Sequence, residues 1–118
     1  MSARMLFRGR HHVIVNMDAE MTRLSVKRLG FDATGMPGRE VFTSPVLAAL
    51  QRTMDDTYRD RARRTLAFVN SDGVAGTMFI EPYRFQDGEP GLIATWLPVP
   101  APVPQLDSPG RVPALQEQ

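Results

Sequence analysis

The chain has 118 residues, which is the size of one domain built around one hydrophobic core. Its hydrophobic content of 42% is too high for an intrinsically disordered protein. The net charge of +1, from 14 basic and 13 acidic residues, gives no overall field that would attract nucleic acid or an anionic membrane. The absence of cysteine excludes disulfides, thiolate metal sites and cysteine nucleophiles.

The sequence also bears on location. No stretch approaches the roughly 18 consecutive apolar residues that a membrane span needs, and no long apolar segment follows the first residues. We therefore expect neither a membrane span nor a signal peptide. The expected location is the cytoplasm, with which the absence of cysteine is compatible.

The first elements of the chain are a hairpin and a short helix. Residues 5–17 predict the hairpin, because apolar residues alternate on both sides of a turn at 8–11. Asp18 follows and is placed to accept hydrogen bonds from the free N–H groups that begin a helix over 19–29. Gly30 is placed to end this helix in the left-handed conformation.

Residues 31–43 contain glycines and a proline and predict irregular backbone with at most single helical turns. Ser44 and Pro45 favour a helix start, since Ser can cap the free N–H groups and Pro has no N–H to leave unpaired. The helix that follows has one apolar stripe, formed by Leu47, Leu50, Met54 and Tyr58. We expect Leu50 and Met54 to face a sheet.

Three strands are predicted after the long helix, over 64–70, 76–85 and 92–99. Together with the hairpin they predict an α+β fold, with a five-stranded antiparallel sheet and helices packed on one face. Pro82 cannot donate a hydrogen bond to a neighbouring strand, so we expect a bulge or an edge position there. A bulge would reverse the faces beyond it, so the side on which Trp96 lies stays open.

Prolines dominate the sequence from Pro98 onward, and this part of the chain offers little apolar surface to bury. We therefore predict a single domain over residues 1–103. Residues 104–118 are expected to form a flexible, proline-rich tail.

The order of these elements over 5–99 resembles the fold of PAS domains. Three segments carry the resemblance: Arg8-Gly9-Arg10-His11-His12-Val13-Ile14, Gly35-Met36-Pro37-Gly38-Arg39-Glu40-Val41-Phe42, and Phe79-Ile80-Glu81-Pro82-Tyr83 with its following Asp87-Gly88 turn. The resemblance implies a sensory or regulatory module in signal transduction, which acts through small-ligand binding or protein contacts and has no catalytic activity.

The chain departs from the PAS pattern at two places. Where the family usually has Asn-Pro-Ala at the start of the first helix, this chain has Asp18-Ala19-Glu20. Asp can still cap the helix, so the fold is unaffected. The Asn-Cys-Arg motif of flavin-binding photosensory PAS domains is also absent, because the chain has no cysteine. This excludes a photosensor that forms a thiol adduct with flavin.

His11 and His12 are the only histidines in the chain. Adjacent residues of a strand point to opposite faces, so this pair cannot chelate a metal ion together, and we predict no metal site. The haem-binding PAS groups place a histidine on or near the long helix, and residues 44–63 contain none, so no cofactor is expected. No serine has a spacing to a base that indicates nucleophilic catalysis, and we predict that the chain is not an enzyme.

One basic cluster ends the long helix, formed by Arg59, Arg61, Arg63 and Arg64. It has two interpretations, a contact to phosphate or nucleic acid, or favourable charge at a helix C-terminus. Aspartates are interleaved with these arginines, and no aromatic residues accompany them for base stacking. We favour the second interpretation and expect no nucleic-acid partner.

The apolar residues that meet between the helices and the sheet have two interpretations. The first is a ligand site, whose candidate residues are Met36, Phe42, Leu50, Met54, Phe68, Phe79 and Trp96. Methionine adapts to irregular gaps, so a small apolar ligand could enter this methionine-rich core. The second interpretation, which we favour, is a filled core whose sheet surface contacts a second copy or a larger signalling protein, since the strands carry apolar residues on both faces.

A different class of function stays open beside the PAS hypothesis. Small α+β enzymes of the cone-shaped ketosteroid-isomerase or cyclase type also pack helices on a curved antiparallel sheet. Such an enzyme would need an acid or base in its cavity, for which His12, Asp32 and Tyr83 are the candidates.

Overall fold

A computed structural model describes residues 1–101 as five strands and three helices around one core. The elements are β1 (Ala3–Arg8), β2 (Val13–Met17), α1 (Ala19–Leu29), α2 (Gly38–Val41), α3 (Pro45–Asp60), β3 (Arg64–Val69), β4 (Ala75–Arg84) and β5 (Pro90–Leu97). The predicted tail, 104–118, and the last two residues of the predicted domain lie outside the described residues.

The five strands form one antiparallel sheet in the order β2-β1-β5-β4-β3. β5 therefore occupies the centre of the sheet, between the first and the fourth strand. This arrangement confirms the predicted fold class, a five-stranded antiparallel sheet in an α+β domain.

The two faces of the sheet differ in what covers them. The inner face packs against α1 and α3, and its side chains are buried, as at Phe7, Ile80 and Leu92. The outer face carries the alternate residues of the same strands, such as Leu6, which are only partly buried. Trp96 is 2% exposed and lies on the inner face, which fixes the side that the sequence left open.

The ends of α1 follow the predicted capping residues. The Asp18 carboxylate accepts a hydrogen bond from the backbone N–H of Met21 at 2.8 Å. At the other end, Gly30 has a φ of 87° and donates its N–H to the carbonyl of Val26. The predicted helix over 19–29 is confirmed at both ends.

The long helix α3 begins at Pro45, as predicted, but its cap differs from the prediction. Ser44 has the extended backbone of a cap residue, yet its side chain makes no capping hydrogen bond. Only its carbonyl takes part, accepting a hydrogen bond from Ala48 N. Leu50 and Met54 are buried against the sheet as expected. Within residues 1–101 no helix is long and apolar enough to cross a membrane.

Pro82 lies at an edge, one of the two positions predicted for it. The pairing of β4 with β3 ends at Ile80, so β4 has no neighbour on that side where Pro82 stands. The register between β4 and β5 continues without a break through the pair Pro82 and Leu92. The bulge that was the alternative is therefore not present at this position.

Candidate ligand-binding cavity

A cavity of about 50 Å³ lies between the inner face of the sheet and the helices α1 and α3. On the same measure one water molecule needs about 10–15 Å³, so the space is large enough for a small molecule. Apolar side chains form most of its wall, among them Met5, Met21, Leu24, Leu47 and Met78.

The structure brings four of the seven predicted ligand-site residues to this cavity, namely Phe42, Leu50, Phe68 and Trp96. Met54 is fully buried but packs in the core away from the cavity wall. Met36 is partly buried against the core and does not line the cavity either.

Phe79 was assigned to the inner face in the prediction, and that assignment is wrong. It lies in β4 between Met78 and Ile80, which are both buried on the inner face. Because successive side chains of a strand point to opposite faces, Phe79 belongs to the outer face, where it is partly buried.

One end of the cavity is polar and partly open to solvent. Its residues are Ser25 and Arg28 on α1 with Asn70 and Ser71 at the end of β3. None of these four residues was among the predicted site residues. For Arg28 a signal existed, because it follows Met21 and Leu24 at helical spacing and so lies on the same face of α1.

Charged contacts join α1 to the turn between β3 and β4 next to this polar end. Asp72 in the turn accepts hydrogen bonds from Arg23 at 2.6 Å and from Lys27 at 2.7 Å. These two cations hold the pKa of the Asp72 carboxyl well below its usual range. Ser71 adds a hydrogen bond from its hydroxyl to the carbonyl of Leu24 at 2.7 Å. We call this set the α1–turn contacts.

His12 is buried elsewhere, between the turn after β1 and the helix α3. Its Nε2 lies 2.7 Å from a carboxylate oxygen of Asp55, and its backbone has a φ of 54°. Burial lowers the pKa of the imidazole, although the Asp55 hydrogen bond acts in the opposite direction. Residues 1–101 contain no group of three His, Asp or Glu side chains that could hold a metal ion.

None of the three side chains that the alternative enzyme would need lines the cavity. His12 contacts Asp55, as described above. Asp32 is exposed and accepts hydrogen bonds from the backbone and side chain of Thr34. Tyr83 lies on the outer face and is 37% exposed. The cavity therefore contains none of the proposed acids or bases.

The arginines of the basic cluster at the end of α3 contact neighbouring carboxylates or a backbone carbonyl. Arg59 and Arg64 both pair with Asp60. Arg61 donates to the carbonyl of Tyr83, and the remaining member of the cluster, Arg63, pairs with Glu81. These contacts agree with the interpretation of the cluster as structural charge at a helix end.

Comparison with known proteins gives results for structures alone. No protein-family model matches the chain, and no curated protein matches it significantly. A sensory box sensor histidine kinase of Vibrio cholerae is 15% identical, with a TM-score of 0.64 over 82% of this chain and 80% of that one. The PAS domain of the histidine kinase ThkA is 12% identical, with a TM-score of 0.61 over 81% of this chain and 98% of that one.

A third similar structure is the PAS domain of the quorum-sensing receptor RpfR of Cronobacter turicensis in complex with BDSF. It is 16% identical, with a TM-score of 0.52 over 80% of this chain and 90% of that one. At these identities the likeness concerns the fold. Strand order, helix positions and these neighbours agree, and the chain therefore has the PAS fold.

Proposed function

We propose that this chain is a sensory or regulatory module of signal transduction, which binds a small apolar ligand in its cavity and has no catalytic activity. The observation that carries the proposal is the cavity itself, enclosed by the inner face of the sheet, α1 and α3. The absence of His12, Asp32 and Tyr83 from the cavity lining supports the non-catalytic part. The proposal includes a cytoplasmic location, with which the absence of cysteine is compatible.

The wall of the cavity supports a ligand with an apolar body. Buried hydrophobic side chains surround most of the space, and polar groups occur at one end only. Sites for small molecules have this composition, an apolar lining with few polar groups that orient the ligand. The binding of BDSF by the PAS domain of RpfR is an instance of small-molecule binding by the same fold.

Methyl NMR on the methionines tests the cavity, with butanol as a neutral probe. The cavity-lining Met5, Met21 and Met78 should shift on titration. Met36 and Met54 are in or against the core but do not line the cavity, so they should stay unchanged and serve as internal controls. Equal shifts in both groups, or none in either, would contradict ligand binding in the cavity.

A variant that partly fills the cavity provides a more specific test. Ala33 is fully buried and lines the cavity, so Ala33→Val adds two methyl groups to its wall and should weaken butanol binding. Ala67→Val makes the same chemical change on an exposed position of β3 and should leave binding unchanged.

The outer face of the sheet supports a second contact, with another copy of this chain. Leu6 and Ile93 are directly opposite each other in β1 and β5, and Phe79 lies on the same face in β4. All three are only partly buried, and no helix among residues 1–101 covers them. Apolar side chains grouped in this way are typical of protein interfaces.

Sedimentation equilibrium at micromolar concentration tests this contact. We expect a dimer that Ile93→Glu dissociates, because the charge would be buried in the interface. Val46→Glu, at an exposed position of α3 on the other side of the sheet, is the matched control and should leave the dimer intact. A monomeric parent would contradict the homodimer and favour a larger signalling protein as the partner of this face.

A further inference from the structure

The polar end of the cavity contains an amide group whose orientation can be assigned. The side-chain oxygen of Asn70 accepts two backbone hydrogen bonds, from Asp72 N at 2.9 Å and from Val74 N at 3.0 Å. Two N–H donors require an acceptor, so the atom that they contact is the oxygen and the other is the NH₂ group. Asn70 is 6% exposed and lines the cavity. Its NH₂ group has no hydrogen-bond partner among residues 1–101.

Arg28 brings a positive charge to the same end. Its guanidinium donates to the carbonyl of Val69 at 3.0 Å, which is the residue before Asn70, and Arg28 and Asn70 both line the cavity. Its carbon Cζ lies 5.4 Å from the centre of the Phe68 ring, which also lines the cavity. Within the part of the chain that the structure describes, no carboxylate lies within ion-pairing distance of Arg28.

The acidic groups nearby are already paired with other cations. Glu20 contacts Arg23, and Asp72 contacts both Arg23 and Lys27. Three cations of α1 therefore face two carboxylates, and Arg28 is the cation left without one. The cavity lining therefore contains a cation without a carboxylate partner and an amide donor without an acceptor among residues 1–101.

The two hydroxyl groups at this end carry no negative charge that could pair with Arg28. Ser71 donates to the carbonyl of Leu24, and Ser25 points its hydroxyl to the sulfur of Met17 at 3.5 Å. Both are neutral. An amide N–H group that opens into the cavity is available to a ligand, and a charge-assisted hydrogen bond to an anion is stronger than one to a neutral acceptor.

We infer that the ligand of this cavity is a small carboxylate, whose acid group binds Arg28 and the Asn70 NH₂ group while its short apolar body lies in the cavity. The inference rests on the proposed ligand-binding function and adds the chemical class of the ligand. The volume of about 50 Å³ restricts the apolar body to a few carbon atoms.

Butanoate and butanamide are the probes for this inference, because they have the same size and differ in charge. Dissociation constants at neutral pH come from the shifts of the Met21 and Met78 methyl groups. We expect butanoate to bind at least about tenfold more tightly than butanamide, since it alone brings a negative charge to the Arg28 guanidinium.

Two variants assign the preference to its residues. Asn70→Asp keeps an oxygen for the two backbone donors and replaces the NH₂ group by a negative charge, so the turn is retained and butanoate should be repelled. Arg28→Gln removes the cation and should abolish the preference for butanoate. Arg52→Gln removes an exposed cation of α3 that does not line the cavity, and it should change nothing.

The outcomes separate the two proposals. Equal binding of butanoate and butanamide, or butanoate binding that neither variant at Asn70 or Arg28 weakens, would overturn the carboxylate inference and leave the cavity function in place if butanol binds. Failure of butanol, butanamide and butanoate together would overturn the ligand-binding function, and the carboxylate inference with it.

Discussion

The imidazole of His12 is buried against the carboxylate of Asp55, with Nε2 and Oδ1 2.7 Å apart. Its other nitrogen, Nδ1, has no hydrogen-bond partner among residues 1–101. The neutral tautomer with hydrogen on Nε2 fits this site, because it donates to Asp55 and leaves only an acceptor unpaired. Protonation would place a second, unpaired N–H in the core.

This site predicts that the protein loses stability in mild acid. The pKa of folded His12 lies below its ordinary value of 6.5, mainly through burial. As the pH falls below 6.5, the unfolded chain binds this proton before the folded chain does. The contribution of His12 to the free energy of unfolding is therefore present above that pH and decreases below it. Urea unfolding between about pH 8 and pH 5 measures the effect.

His12→Asn provides the comparison for this titration, because Asn tolerates the left-handed backbone at this position and does not titrate there. The variant is expected to be less stable at neutral pH, and the difference from the parent should shrink as the pH falls below 6.5. A difference that grows with acidification would mean that the folded pKa of His12 is raised, contrary to this account.

Side-chain capping should contribute to the stability of the protein at α1 but not at α3. Asp18→Ala should destabilise the protein by about 1 kcal/mol, because the Asp18 carboxylate accepts a hydrogen bond from Met21 N. Ser44→Ala should have an effect near zero, since the Ser44 side chain caps nothing. Thermal unfolding of the two variants measures the contrast. Equal losses would show that the Ser44 hydroxyl caps α3 in solution.

The register of α3 is tested by a buried and an exposed position. Leu50 is 2% exposed and lines the cavity, so Leu50→Ala should cost about 2–5 kcal/mol. Val46 is 41% exposed on the same helix, and Val46→Ala should stay within about 0.5 kcal/mol of the parent. Denaturant unfolding gives both values, and a Leu50→Ala variant as stable as the parent would contradict this register.

The α1–turn contacts should slow the local opening of α1. Asp72→Asn removes the charge that both Arg23 and Lys27 contact. We expect faster amide hydrogen exchange in the second half of α1. Salt at about 1 M should have the same effect on the parent and little further effect on the variant, because it screens exposed charges.

Asp56→Asn is the control for this experiment. It removes an ion pair with Arg59 within α3, and exchange in α1 should not change. Unchanged exchange of α1 in Asp72→Asn would show that the charged contacts do not restrain the helix.

Two glycines should differ in their tolerance of a side chain. A Cβ on Gly76 would meet the carbonyl oxygen of Leu97 and lie 2.5 Å from the Trp96 ring, so Gly76→Ala should destabilise the fold severely. Gly73 has a φ of 82° and open space around it, so Gly73→Ala should cost only about 1–2 kcal/mol of backbone strain. Thermal unfolding measures both, and equal melting temperatures would contradict the close approach at Gly76.

Features that depend only on residues close together in the sequence could be predicted. Both ends of α1 follow from Asp18 and Gly30, because capping needs only residues within a few positions of the helix end. The strands followed from their alternation and the turns between them. Ser44 is an exception, since the residue type favoured a side-chain cap that the structure does not contain.

Features that depend on contacts between distant segments could not be predicted in this way. The polar end of the cavity joins α1 to the end of β3, and no local pattern relates Arg28 to Asn70. The face of Trp96 depended on the register at Pro82. The error at Phe79 was avoidable, because strand alternation already separates it from Met78.

The position of Trp96 gives the protein an optical probe of its own cavity. It is the only tryptophan in the chain, it lines the cavity, and its indole N–H donates to the carbonyl of Phe68 at 2.9 Å. The two tyrosines, Tyr58 and Tyr83, lie outside the cavity lining. Fluorescence excited beyond tyrosine absorption therefore comes from one buried indole in the wall of the cavity. Occupancy of the cavity can be followed in the unmodified protein, at concentrations well below those that NMR requires.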